Sequence, residues 1–408
     1  MLKKIGSLGL SGRIVLGSII GLILGFILKE NAGSLAFLGD IFLRSVKMCV
    51  PLLIFCSIVE ATASLPLHEL KNIGFKTLGV FFVTTSLASV LTVLAVKVFP
   101  PVLTIAPPAT GAYETTIPDT SFAATIVSFI PDNALKALSD GVIVQIIVFA
   151  VLFGVSVNIL KSEFQEVDRI YGLVLGLRKI VMKIVTIIMY YAPIGISAML
   201  ANITGTSGME ALKSLGQVLL IVSILDIIFY LLYTFYLSIR YQLSPIKIVK
   251  NSSSVLLMAL TTTSSAVSLP VALEDVPKKM GVNAKISNFV LPLGSALNTN
   301  GAPITNITCA VACASVFGIE LNMNNLIMLG VYAVVASFGN PGVPGGGIVS
   351  MAIVFQMIGI PIEGVAIFAG LDYFFSLTRA PLNIIGNVYS SLIVGNKMKE
   401  FDKEIFNS

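Results

Sequence analysis

Apolar residues run along this chain in long blocks broken by short polar turns, and the blocks are long enough to cross about 30 Å of hydrocarbon as helices. The pattern predicts spans at about 13–30, 36–64, 76–99, 141–161, 173–200 and 212–239, each closed by polar or Gly/Pro-containing turns. The blocks lack the ten-residue alternation of an outer-membrane barrel, so an all-α membrane protein is expected. After residue 240 the pattern changes. Short apolar pieces alternate with Ser/Thr clusters, Gly/Pro runs and Asn-rich breaks, a backbone chemistry tolerated at membrane depth only where it lines a protected cavity.

Two of these irregular segments read as re-entrant hairpins. The first covers 251–275 with its tip at Thr261–Pro270, and the second covers 327–359 with its tip at Ser337–Gly347. Each is followed by an apolar helix carrying polar residues: 284–316, interrupted at Asn298-Thr-Asn-Gly301, and then 364–395. Hairpin plus helix, twice, from opposite faces, is the inverted-repeat signature of a secondary transporter. In the last helix Asp372, Ser376, Arg379, Asn383 and Asn387 fall within about 80° of one another, so an apolar rod carries one polar stripe. Charges at membrane depth usually face a site, a cavity or a partner.

Composition supports this reading. The 408 residues are 56% hydrophobic and 12% charged, with a mean hydropathy of +0.94, values outside the soluble globular range. No linker-like run divides the chain, so 1–408 is expected to form a single integral domain. Lys71, Lys76, Lys161, Arg169, Arg178, Lys179, Lys183, Arg240, Lys247, Lys250, Lys278, Lys279, Lys285, Lys397, Lys399 and Lys403 should share the side of the N-terminus, whereas Lys29, Lys97, Lys136 and Lys213 fall opposite. The asymmetry predicts a multi-pass protein of the plasma (inner) membrane, surrounded by lipid, with both termini cytoplasmic. Cys49, Cys56, Cys309 and Cys313 lie in apolar surroundings, and the single histidine, His68, sits in a polar turn. No enzyme, nucleic-acid partner or cofactor is expected.

The polar residues of the second half carry the chemistry. Two re-entrant tips meeting near the midplane would aim backbone N–H groups and helix dipoles at one point, which suits an anion, with Ser264, Ser265 and Ser268 completing the shell; alternatively the first tip's hydroxyls join helices to one another, and the second tip is an ordinary extramembrane loop. The Arg379 guanidinium matches a carboxylate in bidentate fashion; alternatively it forms a structural ion pair with Asp372, about two turns away. The Asn298–Gly301 break would free carbonyls to hold a small cation, or is a simple glycine kink. Asp226 lies mid-span with no basic residue within about two turns on its own helix. It is a candidate proton carrier, or it pairs with Arg44 or Lys47.

At these residues the chain resembles the dicarboxylate/amino acid:cation symporter family, the glutamate transporter fold. The likeness covers Gly39–Met48, the serine-rich first hairpin, Pro292–Gly301, Gly342-Val-Pro-Gly345 and the polar-striped last helix. It implies eight transmembrane helices, two re-entrant hairpins and a homotrimer. A scaffold of about 1–70 and 100–205 would hold a transport unit of about 71–99 and 206–408 that moves as an elevator, with the second hairpin as gate. It places Ser264, Ser265, Val343, Gly347, Ser376, Arg379 and Asn383 around the substrate. Cation sites would draw on Thr85, Ser86, Gly294, Asn298, Thr299, Asn300, Ser337, Asn340, Asn383 and Asn387.

Departures from the family pattern narrow the expectation. Amino-acid-transporting members usually carry Asp where this chain has Ser376, whereas the C4-dicarboxylate branch has a Ser-x-x-Arg-Ala-x-x-Asn-x-x-Gly-Asn pattern like Ser376–Asn387. A dicarboxylate such as succinate, fumarate or malate is therefore expected ahead of aspartate or glutamate. Sodium-coupled relatives typically have Asp at the positions of Asn300 and Asn387, and a tyrosine is common at the position of Phe82. Neutral amides give up most of the electrostatic gain that offsets dehydration of a hard cation. The coupling ion is then Na+ held by the remaining oxygens, or H+ with Asp226 and Asp372 as carriers, and an uncoupled exchanger or anion channel stands as the alternative of another class.

Overall fold

The computed structural model describes residues 10–63, 73–105, 127, 129–337 and 346–408. Among them every extended element is helical, and the only β feature is an isolated bridge between Val282 and Phe401. Three helical stretches, Gly12–Phe42, Phe75–Val98 and Gln165–Tyr241, are long and apolar enough to cross a membrane.

The first half of the chain packs through small residues. Helix α1 (Leu10–Leu28) leads through a 3-10 turn (Lys29–Leu35) into α2 (Ala36–Ala63). Then α3 (Phe75–Val98), α4 (Ala134–Asp140) and α5 (Ile143–Leu160) precede the 77-residue α6 (Gln165–Tyr241). Straight, α6 would be roughly 115 Å long, but Gly208 interrupts it with φ 68° and ψ −158°, a backbone that only glycine adopts readily. The expected separate spans 173–200 and 212–239 fall on the two limbs, one on either side of Gly208.

Gly17, Gly21 and Gly25 recur every four residues on one face of α1. A Cβ at any of them would run into the backbone of Pro193, Ser197 or Ala201 on the first limb of α6. Lipid tails are as apolar as leucine, so helices in a membrane associate by such close backbone approach rather than by the hydrophobic effect. Gly21→Leu is expected to force α1 off α6, at a cost of about 1–3 kcal/mol or more, and to lower the monodisperse fraction on size-exclusion chromatography. Gly172→Leu, with nothing within 4 Å, should leave the profile unchanged.

The second half holds the polar residues. A hairpin of α7 (Pro245–Thr262) and α8 (Ser265–Lys279) turns at Thr263–Ser264, with Thr263 left-handed at φ 51°. The tip is therefore tighter than Thr261–Pro270, because Ser264 caps α8 by accepting from the Val267 N–H. Near the base of the hairpin, Lys279 Nζ donates to Asp275 at 2.9 Å and to Ser254 at 3.1 Å, and Ser254 also donates to Asp275. Next come α9 (Ala284–Leu297) and α10 (Gly301–Val316), separated at the expected break, and then α11 (Met323–Ser337) and α12 (Gly346–Ile358), the arms of the second hairpin. The tip between those arms lies outside the described residues.

The expected last helix 364–395 is instead two pieces, α13 (Val365–Ala369) and α14 (Asp372–Met398), parted at Gly370–Leu371. Both residues keep right-handed backbone angles, and the Leu371 N–H donates to Phe368 O at 2.8 Å, so the interruption is a local tightening; a Cβ on Gly370 would overlap Leu200 of α6. α14 is the hub of this half, with every residue from Ala380 to Gly395 buried.

After α14 the chain folds back as a strap. Asp402 N–H donates to Gly281 O at 2.7 Å, Asn283 N–H to Glu400 O at 3.0 Å and Asn283 Nδ2 to Glu400 at 2.8 Å. Asn251 of α7 donates to Phe406 O at 2.9 Å, Lys247 donates to Asn407 O, and the ring of Phe406, itself part of α15 (Lys403–Asn407), is fully buried.

Candidate functional site

The first cluster forms around Arg379 in the first half of α14. Its Nη2 donates to Asp372 Oδ1 and to Ser376 Oγ, both at 2.7 Å, and Ser376 Oγ in turn donates to the Asp372 carbonyl at 2.8 Å. Asp372, Ser376 and Arg379 are all buried. The other guanidinium nitrogen, Nη1, is buried with no hydrogen-bond partner. A buried, unsatisfied cationic donor is costly, and an acceptor placed against this nitrogen would satisfy it. The ion pair expected as an alternative is thus present, and it occupies only one side of the guanidinium.

Backbone from two other elements closes on Arg379. A Cβ on Gly301, at the start of α10, would come to 3.0 Å from Arg379 Cα and Cγ, and one on Gly347, in the first turn of α12, would overlap the guanidinium itself. The N-terminal turn of α12 therefore faces the arginine, and both contribute positive electrostatic character. Ser264 and Ser265 are buried at the start of α8, which packs along α14. Ser268 spends its hydroxyl on the Ser264 carbonyl at 2.9 Å. Val343 lies outside the described residues.

The second cluster surrounds the α9–α10 break. Asn298 Oδ1 accepts from Thr84 at 3.3 Å and Thr85 at 3.2 Å, and Thr85 also reaches Asn300 Oδ1 at 3.2 Å. Asn298 Nδ2 donates to Asn387 Oδ1 at 2.8 Å. Gly294 lies against the Asn387 side chain, and Gly386 against Asn300. Asn383 joins the two clusters: its Oδ1 accepts from the Gly301 N–H at 2.8 Å, capping α10 where Asn300 makes no side-chain cap of its own. Thr299 reaches α11, donating to the Ser337 carbonyl at 3.1 Å. Asn340 lies outside the described residues.

Three amides and two hydroxyls thus form a buried, uncharged oxygen-rich knot in which the Nδ2 groups of Asn300 and Asn387 have no partner. Of the third-span residues singled out from sequence, Thr85 belongs to it. Ser86 is half-buried and makes no hydrogen bond there, and Phe82 is 57% exposed on the outer face of α3. Sequence reasoning missed Thr84, and also Ser350, which donates to Asn306 Oδ1 at 3.3 Å and ties α12 to α10. Their signal was polarity inside apolar helices, weaker than a Gly/Pro break. Asp226 is fully embedded with neither carboxyl oxygen hydrogen-bonded, and Arg44 is exposed rather than paired with it.

A broken helix between two helical hairpins, an arginine in a buried polar stripe and an amide knot at the break occupy the second half of the chain, and the comparison with protein families reaches well beyond it. The sodium:dicarboxylate symporter family model matches residues 10–397. The chain belongs to this family. Family members transport solutes and are not enzymes. The protein is similar to a proton/sodium-glutamate symport protein of Bacillus caldotenax, 29% identical over 97% of this chain and 96% of the relative. A C4-dicarboxylate transport protein of Pseudomonas fluorescens (strain SBW25) is 28% identical over 97% and 90%, and a proton/glutamate-aspartate symporter of Escherichia coli (strain K12) 27% over 97% and 94%. The relatives divide between two substrate classes at nearly equal identity, and their names include both proton and sodium.

Proposed function

We propose that this symporter imports a C4-dicarboxylate of the succinate, fumarate or malate type together with a cation. One observation carries the reading: Arg379 presents an unpartnered Nη1, while the nearest carboxylate, Asp372, is already bound to the same guanidinium. The site thus offers cationic and neutral donors to an anion and has a hydroxyl, Ser376, where an ammonium group would call for a carboxylate. Residues 71–99 and 206–408 are assigned as the moving unit of an elevator and about 1–70 and 100–205 as the scaffold, in a trimer with cytoplasmic termini. Uptake of labelled succinate into proteoliposomes, competed with unlabelled aspartate, tests the substrate. Stronger competition by aspartate than by fumarate would favour the second reading, an acidic amino acid symporter, which the glutamate-transporting relatives support.

Ser376→Asp supplies the missing carboxylate one turn from Arg379. Selectivity is expected to move toward aspartate, with succinate affinity falling about tenfold or more, the effect of about 1.4 kcal/mol of charge repulsion. Isothermal titration of both ligands reads this out.

Coupling is assigned to protons through Asp226. Neither of its carboxyl oxygens has a hydrogen-bond partner among the described residues, whereas Asp372 is already bound to Arg379 at 2.7 Å. Asp226→Asn is expected to abolish succinate accumulation driven by an inward proton gradient without abolishing exchange of internal for external succinate. Accumulation that survives in the variant removes Asp226 from the mechanism. Flux that only follows the succinate gradient in the unmodified protein would instead support the uncoupled reading.

A further inference from the structure

Outside the site, a groove of about 450 Å³ opens on the membrane-facing side of the second half. Its walls are α3 and the second limb of α6, and α14 closes one end with Ile393 and Lys397. The lining is apolar apart from Thr84, two tyrosines and Lys397. Wall residues Val83, Leu87, Leu94 and Leu232 are more than half exposed, so the rest of the described chain leaves this apolar surface uncovered.

The end bearing Lys397 is ringed by cations from all three helices. Lys76 stands one turn before the lining residue Val80, Arg240 one turn after Tyr236, and Lys397 one turn after Ile393. They converge on one end. Lys76 Nζ contacts Met398 Sδ at 3.0 Å, and Tyr233 and Thr234 bond Ser390 and Tyr389 at 3.1 Å, which sets the C-terminal ends of α6 and α14 side by side. None of the three cations forms a salt bridge among the described residues; Arg240 lies over the Tyr241 ring. The opposite end, toward Leu94, carries no charge in its lining, and the next charge along α3, Lys97, lines a separate pocket with Val96 and Pro100.

We infer that this groove holds one anionic phospholipid, its acyl chain along α3 and α6 and its phosphate among Lys76, Arg240 and Lys397. Each cation close to an anionic lipid headgroup contributes on the order of 1 kcal/mol, which is about fivefold in occupancy. The lipid would also touch the transport machinery. Thr84 lines the groove and donates to Asn298 in the amide knot, so chain packing there bears on a residue one hydrogen bond from the helix break.

The chain contains no tryptophan, so a single introduced indole reports on its own surroundings. Leu87→Trp and, on the other wall, Leu232→Trp would be placed separately in phosphatidylcholine vesicles containing a fixed small fraction of brominated phosphatidylglycerol or brominated phosphatidylcholine. Ile23→Trp, on α1 far from the groove, is the reference. The expected result is quenching at either groove reporter with an apparent affinity at least about fivefold higher for the brominated anionic lipid. Ile23→Trp should show no preference, and the preference should disappear in a Lys76→Ala/Arg240→Ala/Lys397→Ala background. Equal quenching by the two lipids at both groove reporters, or a preference that survives the triple substitution, overturns the assignment. If one reporter disrupts folding, judged by its elution profile, the other carries the test.

Discussion

Arg379→Lys is expected to abolish concentrative dicarboxylate uptake while leaving a folded protein. The lysine keeps one positive charge and can still pair with Asp372, so the buried carboxylate is not stranded. It loses the planar fork, whose Nη2 serves Asp372 and Ser376 while Nη1 is left for the incoming anion. Truncating one partner of a buried hydrogen-bonded charge pair costs about 2–5 kcal/mol, which corresponds to roughly 30- to 4,000-fold in substrate affinity. Arg379→Leu should behave differently. It leaves Asp372 buried and unpaired, a destabilisation of about 3–5 kcal/mol, so thermal stability should fall along with transport. Titrating succinate into each variant beside a thermal melt separates the two effects. A lysine variant that binds succinate within threefold of the parent would mean that the fork does not read the carboxylate.

The second large effect is expected from Asn300→Asp combined with Asn387→Asp. In the parent, the oxygens of Asn298, Asn300 and Asn387 are occupied by Thr84, Thr85 and one another, and the unpaired atoms are two amide N–H groups. A cation finds donors where it needs acceptors. Replacing both amides by carboxylates removes the two orphan donors and places two negative charges against the carbonyls of the break, a set suited to a hard monovalent ion. Sodium should then stabilise the variant by about 2.7 kcal/mol at a hundredfold excess over its dissociation constant, seen as a rise in melting temperature of roughly 2 °C or more. Potassium should do much less, and the parent should show little sodium response. A parent that already gains as much from sodium would show that neutral oxygens suffice.

Much of this organisation was legible in the chain because backbone chemistry announces itself. Asn298–Gly301 inside an apolar segment requires a break, since consecutive small polar residues at membrane depth must turn their backbone groups toward protein or a cavity; the helix parts there, as expected. The stripe from Asp372 to Asn387 was readable from angular spacing alone, and all five residues are buried. Less visible were features that depend on what lies opposite. The requirement for a glycine at position 370 comes from the approach of Leu200, a residue of another helix. The glycine face of α1 is an ordinary apolar run until Pro193, Ser197 and Ala201 come against it. Thr84 and Thr85 are adjacent in sequence, and only the orientation of α3 shows that both bond the same asparagine.

The strap formed by residues 400–408 turns the end of the chain into a handle on the first hairpin. Its contacts grip the start of α7 and the loop after α8, so force or competition applied there reaches the serine-bearing wall without altering any residue that lines it. A bulky fusion placed directly after Ser408 competes for the surface around Asn251 and Lys247, and the change in turnover it produces would be mistaken for a property of the substrate site. A reporter joined through a long flexible spacer avoids that error. A short, stiff junction, in contrast, would serve as a deliberate mechanical probe of how much give that wall has.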